Sequence, residues 1–85
     1  MSAASLHQVT RWVELGQQGL AEMERWVASN ADSPYLAAVD QIVAATEAQL
    51  AALLIVQKRL QQVVLVEKRV ELQAAIDAID VELGR

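Results

Sequence analysis

The chain lacks cysteine and phenylalanine altogether, and its 85 residues include one proline, one histidine and three glycines. Without cysteine there is neither a disulfide nor a thiolate metal site, and the redox compartment leaves no mark on the sequence. The lone histidine, His7, excludes a histidine-rich centre. Carboxylate di-metal sites in helical bundles draw on inward Glu residues and Glu-x-x-His pairs, a spacing that does not occur here. Asp77 and Asp80 stand three residues apart, but flanked by Ile76, Ile79 and Val81 they read as the solvated side of an amphipathic turn. There is no glycine-rich phosphate loop, and no serine or threonine sits in a nucleophile motif with a histidine base. The expectation is a protein that is not an enzyme, with no catalytic residue, no cofactor and no metal.

Positive charge is also scarce. Eleven acidic residues against seven basic ones leave a net charge of −4, which argues against nucleic acid or an anionic membrane as the main partner. The N-terminus has no basic segment followed by an apolar core, so no secretory signal is read there. Residues 42–56 are rich in apolar side chains, but Thr46, Glu47 and Gln49 interrupt them, and the clean run is shorter than the ~20 residues a membrane span needs. The expectation is a soluble, cytoplasmic protein. Lys58, Arg59, Lys68 and Arg69 hold four of the seven positive charges. An alternative function is therefore a regulator that binds nucleic acid weakly through this belt. Glu67 and Glu71 interleave with it, however, so a solvated face with pairing such as Lys68 to Glu71 is the plainer reading.

What the chain does have is helix-forming material. Apolar residues make up 54% of it, nearly all Ala, Val and Leu, and residues 34–83 contain no glycine and no proline after the first position. Such a stretch is helical by default, roughly 75 Å long at 1.5 Å per residue. Ser5 and Gln8 have capping-box spacing and start helix 1, at about residues 5–29. Its apolar positions then alternate in steps of three and four: Leu6, Val9, Val13, Gly16, Leu20, Met23, Val27. This is the seam of a helix lying along a neighbour. Gly16 and Gly19 cost helix stability and mark either a close approach of another helix or a notch for a ligand. Asn30, tolerant of the left-handed conformation, ends the helix, and Asp32 or Ser33 followed by Pro34 starts the next. Tyr35 is expected to staple the turn. So short a link forces the second helix, at about residues 34–83, to run antiparallel to the first.

Helix 2 opens with a matching stripe, Leu36, Val39, Val43, Thr46, Leu50 and Leu53, which weakens beyond Gln57. Two other stripes then take over: Val56, Val63, Val66 and Val70 on one side, and Leu65, Leu72, Ile76, Ile79 and Leu83 on another. The β-branched run Val63 to Val66 has no turn residue beside it and no partner strand elsewhere, so it stays helical. Helix 1 is expected to reach only to about Leu60, leaving the last stripe bare. The fold class is all-α, a single domain formed as an antiparallel hairpin with one long arm. Two hairpins then pair as an antiparallel homodimer. The expected dimer interface has Val56, Leu60, Val63 and Val64 near the two-fold axis. It continues through Leu65, Val70, Leu72, Ile76, Ile79 and Leu83. The alternative is a monomeric three-helix bundle with a break near Gln61.

For function this architecture favours a non-enzymatic interaction module, a small homodimeric adaptor or chaperone-like protein that binds itself and another helical protein. Trp12 and Trp26, fourteen residues apart and nearly on one side of helix 1, are candidate partner anchors, and otherwise they widen the core. A third alternative is a small-ligand-binding bundle with a cavity beside Gly16 and Gly19.

Overall fold

The computed structural model describes residues 2–84. Two helices account for nearly all of them: α1, Ser2–Ser29, and α2, Leu36–Glu82, of 28 and 47 residues. The described residues contain no strand, and the run at Val63 lies inside α2. The principal extents are 77 × 16 × 15 Å, a rod two helices thick. Its radius of gyration is 21.5 Å, where a compact chain of this length would have about 12 Å.

α2 passes through Gln61 without a break, so the three-helix alternative is excluded. The reason is local. No residue near Gln61 offers the φ freedom or the side-chain competition for backbone groups that a loop needs.

α1 begins at Ser2 rather than Ser5. Ala3 and Ala4 propagate a helix well, and Ser2 Oγ donates to Glu67 Oε1 at 2.5 Å, tying the first turn to α2. Ser5 is thus one turn inside the helix and does not cap its start. The same extension carries α1 past Leu60, so α2 has a neighbour as far as Glu67.

The turn also differs in detail from expectation. Among the described residues no non-glycine residue has positive φ. Asn30 ends α1 by another route: its Nδ2 donates to the Trp26 carbonyl at 2.8 Å, satisfying one acceptor that the helix end leaves open. The Ser33 hydroxyl accepts from the Tyr35 N–H at 3.1 Å, and its carbonyl accepts from Leu36 N at 3.2 Å, but these close a turn: α2 starts at Leu36, two residues later than expected, with Tyr35 at its N-cap and no side chain capping it. Tyr35 is 70% exposed, too little buried to staple the turn. At the far end Gly84 adopts φ 72°, a conformation that favours glycine, and its N–H reaches the Val81 carbonyl.

The seam between the helices is the one the alternating steps predict. On α1, Val9 and Val13 are buried, the only buried residues among those described, and Leu6, Gly16, Leu20, Met23 and Val27 are half-buried. On α2 the half-buried positions run from Leu36 and Val39 through Leu50 and Leu53 to Gln57, Leu60 and Val64. Two helices touching along one line cannot enclose more than that, and no residue of α2 is buried.

A candidate docking site on the hairpin

Three contacts fix the level at which α1 and α2 face each other. Ser2 meets Glu67, and Gln57 Nε2 donates to Thr10 Oγ1 at 3.1 Å in a half-buried setting. A Cβ on Gly16 would stand 3.3 Å from Leu50 Cδ1. α2 thus comes close at Gly16, as one of the two readings held, through the end of the Leu50 side chain. Gly19 is different. A Cβ there would have nothing within 4 Å.

Gly19 lies in a shallow concavity of about 500 Å³ lined on one wall by Gly19, Glu22, Met23 and Trp26 and on the other by Val39 and Ile42. That places Trp26 and Ile42 on the same side of the hairpin. Seven residues is two helical turns, so Trp12, Gly19 and Trp26 form one column on α1, and Ile42, Gln49, Val56 and Val63 form one column on α2. Gln49, Ala52, Leu53 and Val56 line a second concavity of about 340 Å³. Arg59, Gln62, Val63, Val66 and Glu67 line a third of about 420 Å³. The first lies between the two helices and the other two on α2 alone, and the line they follow along one flank of α2 is a shallow, mostly apolar trough beside the seam. The column at spacing seven was its signal in the sequence, hidden because Gln49 interrupts the apolar run.

Beyond Glu67, α2 projects alone. Val70, Leu72, Ile76, Ile79 and Leu83 are each more than half exposed. Leu65 stands two residues, and so about 200° of helix turn, from Val63. Its stripe, with Leu72, Ile76, Ile79 and Leu83, therefore lies on the far side of the rod from the Val56, Val63 and Val70 column. Of the other residues named for an interface, Leu60 and Val64 are half-buried against α1. Trp12 is 49% exposed, whereas Trp26 is half-buried at the end of the trough.

The basic belt is divided by carboxylates. Arg59 shares the third concavity with Glu67, and Lys68 shares another, of about 230 Å³, with Glu67 and Glu71. Lys58, Arg59, Lys68 and Arg69 are all exposed. His7 is exposed too, and Asp77 accepts from Gln73 Nε2 at 3.0 Å along the arm. Among the described residues no three metal-ligating side chains come together. By length and composition α2 is capable of crossing a membrane, with 6% of its most apolar window buried in the hairpin. Comparison with protein-family models, with characterised proteins and with solved structures finds no match to this chain.

Proposed function

We propose that this protein is a non-enzymatic interaction module that works as a small homodimer, a helical scaffold of the adaptor or chaperone-like kind. The observation that carries this reading is the arm of α2 past Glu67, apolar on two sides and without a neighbour in its own chain. A helix of some fifteen residues is marginal in water by itself, so its order calls for a partner. Surface area supports the same reading. A compact monomer of 9.3 kDa would expose about 5,000 Å², and this chain exposes 6737 Å². The excess, roughly 1,700 Å² per chain, is about twice what one partner contributes to an interface of standard size. A second copy is the economical occupant, because a two-fold axis serves both arms at once.

We place the protein in an aqueous compartment rather than across a bilayer. α1 lies along α2 with Arg11, Glu14, Glu22, Glu24 and Arg25 exposed on its outer surface, and Asp40 and Glu47 are exposed on α2 itself. Carrying these into hydrocarbon would cost several kcal/mol each by the lower estimates.

Sedimentation equilibrium across a concentration series tests the dimer directly. The expected mass is twice that of the chain, and a 9.3 kDa species at micromolar concentration would remove the reading.

A further inference from the structure

The trough and the arm belong to the same chain, and we infer that the trough is the self-interface: α2 of a second copy lies antiparallel in it, centred on Val63. This rests on the homodimer proposed above and adds which face is used. Three observations point to it. The first is register. Gly16 faces Leu50 and Thr10 faces Gln57, so Gly19 lies level with about residue 47 of α2. A two-fold axis at Val63 brings residue 79 of the second copy to that level, near the end of its uncovered arm. The last turn of the arm then lies against Gly19, where α1 forms a second wall.

The second observation is the column itself. About Val63, Val56 faces Val70 of the second copy, and Gln49 faces its Asp77. All four belong to one heptad column, so a single face of α2 supplies both halves of the contact. In the same register Arg59 comes level with Glu67 of the second copy, an opposite-charge pair at the rim of the third concavity.

The third observation is Gly19. A glycine inside a helix costs about 1 kcal/mol relative to alanine, and nothing within the chain requires it, since the space above it is empty. The register puts Ala78 of the second copy at its level, with Ala74 one turn away. Glycine against alanine allows two helix backbones to approach closely, and the missing side chain is accounted for by a neighbour in the other copy. Leu72, Ile76, Ile79 and Leu83 lie on the opposite side of α2, so this contact covers one of the arm's two apolar sides.

The chain has no native cysteine, which makes crosslinking decisive. A residue on a two-fold axis meets its own copy, so the full-length Val63→Cys variant should give a covalent dimer under mild oxidation. Leu65→Cys and Leu72→Cys should not. A Val56→Cys/Val70→Cys double variant should also bridge two chains, because fourteen residues of helix hold its cysteines about 21 Å apart within one. Gly19→Ala should weaken dimerisation about tenfold by sedimentation. A dimer that crosslinks through Leu65 or Leu72 but not Val63, or one that Gly19→Ala strengthens, would keep the homodimer and remove this register. A monomer at all concentrations would remove both.

Discussion

Leu50 Cδ1 of α2 lies 3.3 Å from where a Cβ of Gly16 would stand, whereas a Cβ on Gly19 would have no atom within 4 Å. Two opposed effects meet at this position. An alanine would lower the intrinsic cost of the helix by up to about 1 kcal/mol, but Leu50 must move by a few tenths of an ångström to admit it. Leu50 can do so because its side chain is only half-buried. Gly16→Ala is therefore expected to leave stability within about 0.5 kcal/mol of the parent chain. Gly16→Val, too large for such a shift, should cost about 1–3 kcal/mol by overpacking. Urea unfolding followed by helical circular dichroism distinguishes the two, and equal effects would mean the seam is looser than it looks.

The buried part of the seam is small, and its loss should be felt. Val9 and Val13 are 6% and 4% exposed, so truncation to alanine at either removes two buried methyl groups and leaves a gap, with an expected cost of about 1.5–3 kcal/mol. Val81→Ala is the comparison. That side chain is 77% exposed on the arm, and the change should be neutral or slightly stabilising through helix propensity. Similar losses at all three positions would contradict the burial pattern.

Thr10 and Gln57 make a polar step across the middle of the seam, Nε2 to Oγ1 at 3.1 Å. Thr10→Val strands a half-buried amide and should cost about 1 kcal/mol. Adding Gln57→Leu should recover most of it, since both partners are then apolar. A double-mutant cycle reads the coupling, and additive losses would show that the pair contributes nothing of its own.

The arm should be the part of the chain most sensitive to dilution. Amide hydrogen exchange at residues 70–80 is expected to slow markedly at high protein concentration and to approach the rate of a lone helix at low concentration, while Val9 and Val13 stay protected. Concentration-independent exchange in the arm would mean that no second copy covers it.

Neutral phosphatidylcholine vesicles test the aqueous reading of α2. The chain should remain in the supernatant when vesicles are pelleted, with its tryptophan emission unchanged. Stable partition accompanied by a blue shift would show that α2 leaves α1 for hydrocarbon, as its length and composition allow.

Much of this fold was legible in the sequence because it is made of local rules. The three-four alternation from Leu6 to Val27 and from Leu36 to Leu53 identified the seam, and glycine-free residues 34–83 predicted one long helix through Gln61. The exits from the helices were less legible. Whether Asn30 turns left-handed or bonds back to Trp26, and whether Tyr35 folds over the turn, depend on energies of a few tenths of a kcal/mol that no residue pattern announces. The contact that ties the first turn of α1 to Glu67 joins residues sixty-five apart, which no local pattern shows.

The sequence by itself determined two helices, their antiparallel order and which stripe of each turns inward, since periodicity and breakers act within a few residues. Only the tertiary structure decided how far the two run together, because that length is set by contacts between distant residues. It also separated the two glycines, one pressed by Leu50 and the other facing open space, a distinction that exists only once a neighbouring helix is in place. The concavity at Gly19 is likewise a product of two surfaces. Trp26 and Ile42 share no hollow until the hairpin closes and sets them side by side.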